Sequence, residues 1–162
     1  MTPKRTQQLF AAFPDLYRLH KEDATVSAMC FGFQCGDGWF QPLYRLSAAI
    51  EEAARAECLE PNSPAWPKVW QVKQKFGSLR VIVEIDPVPG FDPRPLERTI
   101  ATLIEKAEAE YLNTCEACGA TGADRVGGNK YRLDFPHMNW VYTLCPACAQ
   151  LYMERKLRPY SS

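Results

Sequence analysis

Four cysteines near the end of the chain have the types and spacing that do chemistry: Cys115 and Cys118 in CEACGA, then Cys145 and Cys148 in CPACAQ. Each CxxC pair lets two thiolates reach one ion from a tight turn. Two such turns supply the four soft, deprotonated ligands of a tetrahedral zinc site. A site closed by four protein ligands leaves the metal no open position for catalysis, so the expected Zn2+ is structural. Two other readings stand beside it, a redox dithiol and a chance pairing; a thioredoxin-type CxxC follows the first strand of a βαβ unit, and neither pair does.

Other catalytic constellations are sparse. The chain has two histidines, His20 and His137. His137, in LDFPHMNW with Asp134 and Asn139 nearby, is the candidate base for a nuclease of the His-metal type, set against a turn histidine with ordinary hydrogen bonds. No serine sits in a nucleophile elbow, and no Gly-rich phosphate loop or catalytic carboxylate pair is present. Lys68, Lys73, Lys75 and Arg80, interleaved with Trp70 and Phe76, form a basic cluster that suits phosphates or an acidic protein surface, or else is a solvated sheet face. Asp37 and Trp39 in the GDGW loop are candidates for partner contact; the alternative for Trp39 is a core anchor under the following helix. Cys30, Cys35 and Cys58 read as small buried apolar residues in preference to a second metal site.

The elements that must position these groups follow from periodicity. Residues 1–20 give short helical turns broken at Pro14, and Val26–Phe33 reads as a strand entering the turn Cys35-Gly36-Asp37-Gly38, where glycines permit unusual backbone angles. From Phe40 to Glu60, Leu43, Leu46, Ala49, Ile50, Ala53, Ala54 and Cys58 recur at helical spacing, with Pro42 in the first turn. Val69–Phe76 and Leu79–Ile85 alternate around Gly77-Ser78 as a β-hairpin, placing Trp70, Val72 and Phe76 on one face and Lys73 and Lys75 on the other. After a proline-rich connector, Asp92 is placed to cap a helix that turns Leu96, Ile100, Leu103, Ile104, Ala107 and Tyr111 inward. In the last third, Tyr131–Phe135 and Trp140–Leu144 are β-like, and Pro146 puts Cys145 and Cys148 at a helix N-terminus, whose partial positive charge favours thiolate.

The expected fold is α+β: a small antiparallel sheet packed with two long helices over residues 1–112, and a treble-clef-like zinc module over residues 113–162. At 162 residues, 46% hydrophobic, the chain is long enough for one core with a small metal module added. Nineteen basic side chains balance nineteen acidic ones, which excludes a surface built throughout to hold phosphates. The start lacks a signal-peptide core, no stretch approaches a membrane span, and paired knuckles suit a reducing compartment, so the cytoplasm is expected.

The stretches FGFQCGDGWFQPLYRLSAAI, VWQVKQKFGSLRVIV, IATLIEKAEAEYLNTCEACGATG and TLCPACA together resemble a widespread family of small proteins of bacterial chromosomes, prophages and phages, over residues 9–150. Its hallmarks are a GDGW loop, a VKxKFGxLR hairpin and two closing CxxC-like sites; many relatives have histidine as the fourth ligand, where Cys148 stands here. The resemblance implies a shared fold and no established activity. Occurrence in prophages implies a protein that occludes a partner, such as a toxin neutralised by an immunity protein or a defence effector blocked by a phage factor. On that reading Asp37, Trp39, Lys73, Lys75, Arg80 and His137 are the candidate contacts. Sequence-indifferent nucleic-acid binding is the alternative, followed by the nuclease.

Overall fold

The computed structural model describes residues 1–126 and 141–157, with side chains described to residue 154. Asp134, His137, Asn139 and the run Tyr131–Phe135 lie outside the described residues. In order, the chain forms α1 (Pro3–Ala12), β1 (Phe33–Gln34), α2 (Phe40–Ala56), β2 (Lys68–Lys75), β3 (Ser78–Glu84), α3 (Arg94–Tyr111), β4 (Asp124–Val126), β5 (Tyr142–Leu144) and α4 (Pro146–Leu157), with 3-10 turns at Arg18–Lys21, Ala28–Phe31 and Asp37–Trp39. This is an α+β architecture. Among the described residues no helix is long and apolar enough to cross a membrane.

The helices form where apolar residues recur every three to four positions. α2 buries Leu43, Leu46, Ile50 and Ala54, and α3 buries Leu96, Ile100 and Tyr111; the two stripes meet in one core with Trp39, Trp66 and Val72. Fully burying an aliphatic side chain of this size stabilises the fold by about 1.5–3 kcal/mol. Asp92 meets the start of α3 as expected, its Oδ1 accepting the Arg94 amide at 3.1 Å, although Pro93 occupies the boundary position. α2 ends earlier than its periodicity predicts. Cys58 takes a left-handed backbone (φ 57°), Leu59 N–H donates to the Ala54 carbonyl and Cys58 N–H to that of Arg55, the double closure that terminates helices. Cys58 is therefore exposed, which corrects its reading as a buried residue.

Four sheet expectations also change. The predicted strand at Val26–Phe33 is mostly a 3-10 turn, because Ser27 Oγ accepts the Met29 amide and donates to the Trp70 carbonyl, leaving Phe33–Gln34 as strand. That short β1 pairs parallel to β2 (Phe33 with Val72, Gln34 with Lys73), so the three-stranded sheet is mixed and not purely antiparallel. In the β2–β3 hairpin the two-residue loop is Phe76-Gly77 and not Gly77-Ser78; both have positive φ (54° and 74°), the mirror-image turn that matches strand twist. A bulge between Val69 and Gln71 turns Val69 and Val72 inward together and moves Trp70 out of the expected face. Phe76 stands exposed at the tip.

Candidate metal centre

Residues 113–126 and 141–157 build a second, smaller cluster around Cys115, Ala123, Leu144 and Ala149. Cys115 and Cys118 lie in a turn closed by Gly119 N–H to the Cys115 carbonyl (2.8 Å) and by Cys115 N–H to the Ala120 carbonyl (2.8 Å). β4 and β5 pair antiparallel, Arg125 opposite Thr143, and deliver the chain to Cys145. Pro146 then starts α4, so Cys145 and Cys148 flank its first turn, with the Ala149 amide on the Cys145 carbonyl at 2.9 Å.

The four sulfurs all lie within 4.8 Å of one another, and Cys118 Sγ is 3.7 Å from Cys145 Sγ. Metal–sulfur bonds of about 2.3 Å in a tetrahedron put neighbouring sulfurs about 3.8 Å apart. All seven cysteines are free thiols, so the cluster is no disulfide pair. Its electrostatics ask for a cation. Burial opposes the Cys115 thiolate, but the amides of Cys145, Cys118 and Ala117 aim at its sulfur and bring the thiol down to about 7. Burial, and then the three neighbouring sulfurs, push Cys148 up. Cys115 is thus prepared as an anion while Cys148 resists ionising beside it, and a metal ion held here would remove that conflict as its ligands shed their protons. The donors fit a tetrathiolate site with no vacancy.

The body grips this module at two places, and both are sequence motifs singled out above. The GDGW loop passes directly over the knuckle. Gly38 N–H donates to the Glu116 carbonyl (2.8 Å), Gly36 N–H to Glu116 Oε1 (3.1 Å) and the Trp39 indole N–H to the Thr114 carbonyl (2.8 Å). A Cβ on Gly38 would stand 2.1 Å from the Cys115 oxygen, and one on Gly36 2.2 Å from the Glu116 oxygen. These glycines are therefore required for close approach and not for unusual backbone angles; neither has positive φ. Trp39 is fully buried, the core anchor and not a surface contact, and Asp37 is committed to α1, accepting from Thr2 N (2.6 Å) and Thr2 Oγ1 (2.8 Å).

At the second place the β2–β3 tip meets the β4–β5 ribbon. Thr143 Oγ1 donates to the Gly77 carbonyl (2.5 Å), Arg125 Nη2 to Ser78 Oγ (2.9 Å), and Gln74 Nε2 to the Val141 carbonyl. Sequence reasoning missed Glu116, Thr114 and Thr143, which carry these bonds. The available signal was a carboxylate between two knuckle cysteines; burial pushes the Glu116 carboxyl up to about 7, against the Gly36 amide.

The remaining sites separate. Lys68 is spent on Asp86 (2.6 Å), whereas Lys73, Lys75 and Arg80 stay on the open sheet face. Cys35 is buried and its thiol pushed up to about 12 by that burial, while Cys30 is half-buried. His20 stacks on Phe10 at 4.0 Å and bonds the Tyr17 carbonyl through Nδ1, a local packing role. No protein-family model, curated protein or solved structure matches this chain.

Proposed function

We propose that this is a zinc-stapled protein that acts by occluding a partner protein. The order knuckle, β-ribbon, helix-borne ligand pair is read as a treble clef, and four cysteine sulfurs this close together are a soft donor set of the kind zinc takes, kept reduced in the cytoplasm. The carrying observation is an apolar edge outside both cores. Val26 and Phe31 are 52% and 64% exposed on the segment leading into β1, and the half-buried Trp70 holds the Val26 carbonyl through its indole N–H at 2.9 Å. Exposed aromatic and aliphatic side chains on a rigid support are the composition of interface anchors. Rigidity at this edge comes from the bonds between Ser27 and the Trp70 carbonyl and between the Trp70 indole and the Val26 carbonyl, so little ordering entropy is lost on association. The resemblance to prophage proteins supports a toxin or a defence effector as the partner.

The test is affinity purification of the metal-loaded protein from its own host, beside a Val26→Ser/Phe31→Ser variant. The expected result is one stoichiometric partner retained at about 0.5 M salt, where exposed charge pairs are screened, and lost in the variant. Equal retention by both proteins removes this edge as the binding surface, and no retained partner removes the occlusion reading.

A further inference from the structure

The outer face of the three-stranded sheet carries an arrangement that the fold does not require. Register places Lys73 directly opposite Arg80, with Lys75 two residues along the same face and Gln34 beside Lys73 on β1. Like charges opposite each other across an antiparallel pair are destabilising. Among the described residues no carboxylate lies within ion-pair distance of Lys73 or Lys75, and Arg80 reaches only Glu108, at a loose and exposed 3.9 Å. Arg125 extends the basic row to the hairpin tip through Ser78. Lys73 also edges a cleft of about 460 Å³ between the sheet and the module, walled by Gln34, Gln74, Tyr142 and Glu116.

Phe76 sits at that same tip and bears two costs at once. It is 68% exposed, and it holds φ 54°, a region where a bulky side chain is strained and where asparagine or glycine is the ordinary choice. Among the described residues its ring meets the Lys75 ammonium, at 5.6 Å from the ring centre. A strained, solvent-facing aromatic beside lysines that have no ion-pair partner among the described residues points to a ligand that has a flat π-face and carries negative charge.

We infer that this face binds single-stranded nucleic acid, with Lys73, Lys75, Arg80 and Arg125 on phosphates and a base stacked on Phe76. An acidic protein surface is the weaker match. Protein interfaces are depleted of charge at their centres, whereas here the centre is the Lys73–Arg80 pair, with Ile82 as the apolar neighbour and Glu84 at the far end of β3. Recognition through backbone phosphates and one stacked base is indifferent to sequence. Its residues are distinct from Val26 and Phe31, and the inference does not depend on the occlusion reading.

The test is fluorescence anisotropy of a labelled oligo-dT of about 20 nucleotides with the full metal-loaded chain, titrated at several salt concentrations. Four phosphate contacts predict a log–log salt slope of about −3, falling in magnitude by about 1.4 in Lys73→Ala/Lys75→Ala. Phe76→Asn should weaken binding about tenfold with the slope unchanged while raising Tm, because asparagine relieves the turn; a merely structural Phe76 would give wild-type binding. Val26→Ser/Phe31→Ser should bind the oligonucleotide normally, which separates this inference from the occlusion reading. The inference is overturned by absence of binding at low salt, by a salt slope that the lysine substitutions do not change, or by a duplex of equal length binding more tightly and without regard to Phe76. Poly-glutamate binding through the same lysines in place of oligo-dT also overturns it, in favour of an acidic protein.

Discussion

Replacing Gly38 by alanine tests whether the GDGW loop is a clamp on the four-cysteine module. The added methyl would sit 2.1 Å from the Cys115 carbonyl oxygen and 2.4 Å from the Gly119 nitrogen, and both obstacles are backbone, which cannot swing aside. Overpacking of this kind costs about 1–3 kcal/mol. Separating the surfaces also breaks the Gly38–Glu116 and Trp39–Thr114 hydrogen bonds, at about 1 kcal/mol each. A total of about 3–5 kcal/mol lowers Tm by about 6–20 °C in a chain of this size. The obstructing atoms belong to the knuckle, so the same energy should appear in metal affinity, as a loss of about two to three and a half orders of magnitude in competition with a chromophoric chelator. Gly90→Ala is the control. Gly90 has positive φ and nothing within 4 Å of an added Cβ, so its cost is backbone strain of about 1–2 kcal/mol with metal affinity unchanged. Wild-type Tm and chelator competition in Gly38→Ala would refute the clamp.

Thr143→Val keeps the shape of a fully buried side chain but leaves the Gly77 carbonyl without its donor; chemical denaturation should show a loss of about 1–3 kcal/mol, and an unchanged midpoint would remove the second grip. Cys58→Gly relieves a left-handed non-glycine residue at the end of α2 and should raise Tm by a few degrees in a thermal melt, offset in part by glycine's greater unfolded entropy. Under native conditions maleimide should label exposed Cys58 first and half-buried Cys30 more slowly; after chelation, mass spectrometry should find Cys115, Cys118, Cys145 and Cys148 labelled as well. Labelling of those four with metal still bound would contradict their role as ligands.

The four-cysteine cluster was legible because a CxxC pair encodes its geometry locally: two residues of spacing are enough to turn both sulfurs to one side. The long helices and the hairpin were legible for the same reason, as their buried stripes repeat within one element. Gly36 and Gly38 were visible as a turn, but their purpose was not, since the atoms they make room for lie about 80 residues away in the chain. Trp39 presents the same difficulty, because an aromatic beside glycines reads equally as contact or anchor until Thr114 is placed against its indole. The Phe76-Gly77 turn was misplaced by one residue because Phe76 is an improbable occupant of positive φ, and local preference pointed to Gly77-Ser78. The parallel pairing of β1 depends on tertiary placement and leaves no mark on a two-residue strand.

The claim on which the rest stands is that four cysteine sulfurs hold one metal ion and thereby shape the surface that the body grips. X-ray absorption on purified, tag-free protein, with elemental analysis of the same sample, tests it most directly. The account predicts one zinc per chain, bound to four sulfurs at about 2.3 Å. A metal-free folded protein, or a shell with nitrogen or oxygen in place of any of the four sulfurs, would contradict it.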